Sequence, residues 1–359
     1  MKELLSFVGE KFSVCGDIYS YEAVSNGLIN ESFRVEYSDD RGIKKAFLFQ
    51  KINRKAFVNF QNVMSNISKV TTYLRQHYPD EKTLYFYISK TGNNYYETED
   101  GSIWRVSDWI ESDVFRTTDD ISYIEEAGRA YGRFLKKLSG FDTNTLSVTV
   151  PDFHNTKIIL DRLISVVQNL NSCELSGAEK EIQYLCSNYS KLTSVYEAYK
   201  KGDAPLRTVH NDTKLSNVLF SVDSCKAEAV IDLDTVMPGM AVYDFGDAVR
   251  SAAGTVNTKK TAVSFDMKKF TAFSEGYLGE TSDILTDAEY SLLVPAAYSV
   301  TAELSARYFI DYFTDGHYFK ASSREELLSK AVLQAKLSES ILKDYDALSE
   351  IISRIDKSE

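Results

Sequence analysis

Cysteine is scarce and scattered. Cys15, Cys173, Cys186 and Cys225 are far apart with no C-x-x-C pair, so neither a zinc site nor a disulfide framework is signalled and free thiols are expected. No stretch approaches the roughly 18 apolar residues of a membrane span. The opening Met1-Lys2-Glu3-Leu4-Leu5-Ser6-Phe7 is interrupted by charge before any apolar run of signal-peptide length, so a cytoplasmic protein is expected. Positive charge is also in deficit: 41 Lys and Arg against 52 Asp and Glu leave a net −11. That balance argues against a nucleic-acid or anionic-membrane partner. Core-forming residues are plentiful, with 43% hydrophobic and 13% aromatic content in 359 residues. Such a chain can bury a large core, and about 150 residues per domain suggests two domains or lobes.

One run carries chemistry. Val209-His210-Asn211-Asp212-Thr213-Lys214-Leu215-Ser216-Asn217-Val218-Leu219-Phe220 is followed, after a turn-like Ser221-Val222-Asp223-Ser224, by the apolar Ala229-Val230-Ile231 ending in Asp232. Two apolar runs around a short polar turn predict a hairpin that returns Asp232 beside the loop. The spacing His-x-Asp-x-x-x-x-Asn, with an Asp at the end of a later strand, is that of a kinase catalytic loop and its magnesium-binding acid. In-line transfer of a γ-phosphoryl group needs a carboxylate beside the attacking hydroxyl, and Asp212 is the candidate base. Magnesium takes hard oxygen ligands, so Asn217 and Asp232 with phosphate and water oxygens would suffice. His210 is expected to brace the loop. A lone match of this kind can arise by chance in a chain of this length; the hairpin context is what raises it.

The residues from His210 to Arg250 include Ile231-Asp232-Leu233-Asp234-Thr235-Val236-Met237-Pro238-Gly239 and Tyr243-Asp244-Phe245-Gly246-Asp247. With Gly27-Leu28-Ile29-Asn30, Gln50-Lys51-Ile52-Asn53 and Arg307-Tyr308-Phe309-Ile310-Asp311-Tyr312, they resemble the aminoglycoside phosphotransferase and choline kinase family, and within it the N-acetylhexosamine 1-kinases. The resemblance spans most of the chain. It implies an α+β, two-lobed, protein-kinase-like fold using ATP and Mg2+, with Asp212 as base and Asn217 and Asp232 on the metal. It further implies that Asp244 supports the catalytic loop from behind, a position that could equally serve helix capping. The implied reaction moves the γ-phosphate of ATP to the anomeric hydroxyl of an N-acetylhexosamine. Another sugar, an amino alcohol or an aminoglycoside is the alternative acceptor, and a nucleotide-binding module without turnover is the alternative class.

Residues 1–110 read as a β-rich nucleotide lobe. Strands are expected at Phe33–Tyr37, Ala46–Phe49, Thr83–Tyr87 and Ile103–Val106. Between them Phe60, Val63, Met64, Ile67, Val70 and Leu74 recur at helical steps. Kinases usually carry a lysine on the third strand paired with a glutamate on the following helix. Here the matching position is Gln50, Lys51 would face the other way, and 57–78 holds no Asp or Glu. Gln50 is therefore expected to contact a phosphate and an Asn62 or Asn66 amide, with Lys51 as the alternative if the strand is displaced by one. The loop Ser25–Ser32 has one glycine, Gly27, and would lay backbone amides over the phosphates with Asn30 bracing the turn; an ordinary hairpin turn explains it as well. Trp109 and Ile110 read as a hinge beside adenine, though a core tryptophan at a strand end is equally ordinary.

Residues 111–359 read as a helical lobe holding the acceptor, with helical spacing from Ile121 to Leu138 and patterned segments at 152–201 and 286–357. Arg307 and Asp311 lie four residues apart, with Glu303 one turn earlier and His317-Tyr318 just beyond. Spacing alone favours a solvated ion pair on a surface helix. The family resemblance moves Arg307, Asp311 and Tyr318, with Leu28, to the sugar.

Overall fold

The computed structural model describes residues 1–24, 30–257, 262–314, 319, 321 and 323–356. Helix α1 (Lys2–Lys11) precedes strands β1 (Asp17–Ala23), β2 (Glu31–Ser38) and β3 (Lys44–Ile52). Then come α2 (Phe60–His77), β4 (Tyr96–Glu97) and β5 (Ile103–Asp108), and these strands form one antiparallel sheet in the order β1-β2-β3-β5-β4. Alternation assigns its two faces. Phe33, Val35, Tyr37, Phe47, Phe49 and Val106 pack with Leu5 and Val8 of α1 and with Phe12 just after it. Ile52 and Ile103 face α2, whose Phe60, Val63, Met64, Ile67, Val70 and Leu74 are all buried against them.

The strand expected at Thr83–Tyr87 does not form. That segment makes an isolated bridge, Phe86 to Ser107, with the Tyr87 N–H donating to Val106 O at 2.9 Å. The outer edge of β5 is shared with β4, and Leu84 and Phe86 turn into the α2 cluster instead of extending a ladder.

After β5 the chain crosses to a helical region. Asp113 and Phe220 exchange backbone hydrogen bonds of 2.8 and 3.0 Å, pinning the crossing. Helix α3 (Ile121–Lys137) starts on Asp120, whose carboxylate caps the Ser122 amide. It is followed by α4 (Thr156–Val167), α5 (Glu179–Ser187), α6 (Tyr189–Leu192) and α7 (Ser194–Lys201). Short strands β6 (Arg207–Val209), β7 (Val218–Phe220), β8 (Ala227–Val230) and β9 (Met237–Gly239) come next, pairing as β6 with β9 and β7 with β8. The chain closes with α8 (Ala241–Ala253), the β10 (Gly254–Asn257) and β11 (Ala262–Phe265) hairpin, α9 (Met267–Thr281), α10 (Asp287–Thr314), α11 (Arg324–Lys343) and α12 (Tyr345–Asp356). Helix α8 is buried along nearly its whole length and lies directly against α10: a Cβ on Gly246 would stand 2.7 Å from the Ala296 carbonyl carbon. Only glycine permits that approach. Among the described residues no helix is long and apolar enough to cross a membrane. A sheet-rich N-terminal region and a helical remainder, the α+β kinase-like arrangement expected, meet around 210–236.

Candidate active site

The loop from His210 to Asn217 is held from beneath by α8. Asp244, in the first turn of that helix, accepts the His210 and Asn211 amides at 2.7 Å each, and its own carbonyl accepts Thr213 Oγ1 at 2.5 Å. Its carboxylate thus serves the loop rather than its own helix end. Asn211 sits at a φ of 66°, a left-handed conformation that this clamp and the bond from its Nδ2 to Thr235 O hold in place. The His210 ring is committed to bracing: Nε2 donates to Ile231 O at 2.8 Å and Nδ1 accepts the Asp212 amide at 3.2 Å. Those partners place a ring proton on Nε2.

The β7–β8 hairpin returns Asp232 to the loop. Ile231 N–H donates to Asn217 O at 2.9 Å, and Asp232 adopts a φ of 62° that turns its side chain toward Asp212. Asn217 donates Nδ2 to Asp212 O at 2.8 Å, which leaves its Oδ1 as a hard donor. Lys214, which sequence reasoning passed over, holds the two acids together: its Nζ lies 2.5 Å from Asp212 Oδ2 and 3.6 Å from Asp232 Oδ2. Burial alone would lower the Lys214 ammonium, but the Asp212 and Asp232 carboxylates outweigh it and hold it well above the ordinary lysine range. The protein around Asp232 and the neighbouring Asp234 carboxylate push the Asp232 carboxyl up to about 6. A carboxylate so disfavoured, beside an amide oxygen, fits a hard divalent cation. Among the described residues no three His, Cys, Asp or Glu side chains converge on a metal site, so ligand oxygens would complete the shell.

The opposite wall corrects the expectation for Gln50. Register aligns Ser32, Gln50 and Arg105 across β2, β3 and β5 in one row. Gln50 donates Nε2 to Ser32 Oγ and accepts Arg105 Nε, both at 3.0 Å. It touches neither Asn62 nor Asn66; Asn66 instead bonds Ser147 and the Val236 carbonyl. Nor is the site without an ion pair. Arg105, only 2% exposed, reaches Asp234 Oδ1 at 2.5 Å. Asn30 donates to the other Asp234 oxygen at 2.8 Å and accepts the Asn53 amide at 3.0 Å, tying the start of β2 to the Asp232–Asp234 segment. Lys51 alternates onto the opposite face of β3 with Phe47 and Phe49. Gly27, Leu28, His317 and Tyr318 lie outside the described residues.

At the crossing, Trp109 gives its amide to Ala46 O at 3.3 Å and its ring to the Arg34 guanidinium at 5.5 Å. Its backbone N–H is therefore committed to β3. Ile110 packs against the α2 cluster.

On the helical side, Glu303 is 1% exposed, so the α10 spacing does not describe a solvated surface pair. Arg307 Nη1 stands 3.8 Å from Glu303 Oε1, with its guanidinium 4.9 Å from the Phe153 ring. Asp311 accepts the Phe319 amide at 2.8 Å. Asp247 and Arg250, bonded at 2.6 Å on α8, and His154 join this wall. The His210–Arg250 stretch contained the first two, and their i, i+3 spacing on one helix face was the available signal.

The model of the phosphotransferase enzyme family matches residues 20–274. An ethanolamine kinase from Plasmodium vivax is 15% identical with a TM-score of 0.58, covering 94% of this chain and 86% of that one. A choline kinase from Cryptosporidium parvum Iowa II is 14% identical with a TM-score of 0.57, covering 99% of each. A spectinomycin phosphotransferase, solved with ADP and spectinomycin, is 13% identical with a TM-score of 0.60, covering 94% and 98%. At these identities the likeness is one of fold. The family match takes in the catalytic loop, the Asp232 hairpin and the Asp244 clamp together, and this chain belongs to the phosphotransferase enzyme family.

Proposed function

We propose that the chain is an ATP- and Mg2+-dependent kinase that phosphorylates the 1-hydroxyl of an N-acetylhexosamine, GlcNAc or GalNAc, to the α-sugar 1-phosphate and ADP. In this reading residues 1–110 bind the nucleotide, residues 111–359 bind the acceptor, and the protein works in the cytoplasm. Cys15, Cys173, Cys186 and Cys225 all stand unbridged, in keeping with a reducing compartment. The observation that carries the reading is the convergence of Asp212, Asn217 and Asp232 on one loop and hairpin.

Asn217 Oδ1 and Asp232 would hold Mg2+, which when bound offsets charge on the transferring phosphoryl group. Asp212 orients the acceptor hydroxyl and takes its proton as the oxygen–phosphorus bond forms and the β–γ bridging bond breaks, ADP leaving with that electron pair. Lys214 aims the Asp212 carboxylate through their ion pair, and Arg105 is the cation of the nucleotide wall, in the place where Gln50 was expected to act.

Charge balance bears on the acceptor. Asp212, Asp247 and Glu303 already face Lys214, Arg250 and Arg307. A cationic acceptor would meet acids that are compensated, whereas a neutral polyol with an N-acetyl group can exchange hydrogen bonds with both signs. Spectinomycin and amino-alcohol acceptors, named for structural neighbours, are therefore the second choice.

An acceptor screen by ADP release with ATP and Mg2+ tests this. GlcNAc or GalNAc should be turned over, and Asp212→Asn should cut turnover by about 10²–10⁴-fold while ATP still binds by calorimetry. Failure of both sugars alongside turnover of another small alcohol would overturn the acceptor assignment and leave the kinase.

A further inference from the structure

His154 is one of the most constrained side chains outside the Asp212 loop. It takes a left-handed φ of 55°, two residues after Asp152 at 56°, and only 8% of it reaches solvent. Its Nε2 stands 3.0 Å from the carbonyl oxygen of Asn211, the peptide that leads directly into Asp212. Its Nδ1 stands 3.4 Å from Glu303 Oε1, off the line of an ideal hydrogen bond, and has no other partner among the described residues. Glu303 also accepts Thr156 Oγ1 at 3.0 Å through Oε2 and approaches Arg307 at 3.8 Å. The ring is stacked on Tyr243 of α8 with centroids 5.6 Å apart and is met edge-on by Phe153.

These contacts decide the protonation state. A neutral imidazole has one N–H. If Nε2 uses it on the Asn211 carbonyl, Nδ1 turns a lone pair on a buried carboxylate; if Nδ1 carries it, the lone pair faces the carbonyl instead. Only the imidazolium donates in both directions, and its charge compensates Glu303 where solvent cannot. The charged and titratable groups around it are Glu303 and Arg307 from α10, and Asp247, Asp244 and Tyr243 from α8. Burial lowers the His154 pKa and Arg307 opposes the charge, but Glu303 and Asp247 win and raise it above the ordinary histidine value.

We propose that His154 is a positioning residue for phosphoryl transfer, held as an imidazolium that fixes the Asn211–Asp212 peptide and links the base to the Arg307 side of the acceptor site through Glu303. The inference rests on the kinase reading of Asp212. It assigns to a residue far from the loop in sequence the task of aiming the base, and makes acceptor-side geometry and base orientation parts of one buried network. A misaimed base costs rate even where substrates still bind.

The first measurement needs no turnover. Carbon and nitrogen NMR of the ring, with histidine labelled in the full chain and His154 assigned by its loss in His154→Gln, should show an imidazolium at pH 7. Glu303→Gln should return that signal to the neutral form at the same pH. A neutral His154 ring at pH 7 in the unmutated chain would overturn the proposal. The second measurement is kinetic, with ATP, Mg2+ and GlcNAc: His154→Gln, which can still donate to one acceptor but carries no charge, should lower kcat about tenfold or more with the KM for ATP unchanged. The unmutated enzyme should lose kcat as pH rises through the His154 titration seen by NMR, and the variant should lack that limb. A kcat within twofold of the unmutated enzyme would refute the positioning role. Absence of ADP release by the unmutated chain with GlcNAc would instead overturn the acceptor, leaving the NMR result to judge His154.

Discussion

Arg105 on β5 and Asp234 in the loop after the β7–β8 hairpin meet at 2.5 Å with side chains 3% and 4% exposed. The pair joins the N-terminal sheet to the segment that carries Asp232, two residues before Asp234. It is supported from both sides: Gln50 accepts Arg105 Nε, and Asn30 donates to the second Asp234 oxygen. The sheet and the Asp232–Asp234 segment are therefore registered by a charge pair as well as by apolar contact between α2 and Leu233 and Val236.

Breaking that pair from one side leaves the other charge buried and alone. Arg105→Met and Asp234→Leu should each destabilise the chain by about 3–5 kcal/mol. The double variant should be more stable than the sum of the two losses implies, because no charge is stranded. Urea unfolding of the four proteins gives the coupling; strictly additive losses would show that the two side chains do not interact.

Gln50→Lys follows from the same row. It would restore a lysine at the usual kinase position, yet here the ammonium would meet Arg105 Nε, which Gln50 now accepts at 3.0 Å. Losing a buried acceptor should cost about 1–3 kcal/mol, with like-charge repulsion added. Unfolding midpoint and kcat should both fall. A strong gain in activity would mean that the nucleotide wall lacks a cation which Arg105 does not supply.

The sequence was most readable where partners are close along the chain. His210, Asp212, Asn217 and the Asp232 hairpin lie within one short stretch, so spacing alone brings them together; Asp244 followed from family resemblance. Gln50 was placed on the right face of β3, but its partner was not, because Arg105 lies 55 residues away and reaches it only through the register of β3 with β5. His154 and Glu303 are more remote still, and nothing periodic links a loop histidine to a helix interior. The same limit explains Thr83–Tyr87: β-like alternation was present, but which segment completes the edge of β5 depends on where Leu84 and Phe86 find apolar contact. On α10, spacing correctly aligned Glu303 and Arg307 yet suggested solvent, since burial of Glu303 depends on His154 and Thr156 from elsewhere.

On the proposed reading Asp232 links proton and metal. In the metal-free chain its carboxyl sits at about 6 because surrounding protein and then Asp234 disfavour its charge. That lies above the value of about 3.9 for an unfolded aspartate. The sign follows: below about pH 4 both states are protonated and Asp232 adds no pH-dependent cost, while between the two values the folded state holds more protons. Above about 6 the ionised side chain carries a penalty, reduced by screening because 39% of the side chain is open to solvent. In chelator, Asp232→Asn should therefore raise the melting temperature near pH 7.5 and change it little near about pH 4. On the proposed reading magnesium would remove the penalty by occupying the carboxylate, so Mg2+ affinity of the unmutated chain should fall about tenfold per unit as pH drops below the titration, one proton being displaced per ion bound. The variant should lose both that slope and the stabilisation by Mg2+. Calorimetric Mg2+ titrations across this range, with melting curves in chelator beside them, make the check. A variant less stable than the unmutated chain at pH 7.5 without metal would show that Asp232 is already satisfied by Lys214 and does not await a cation.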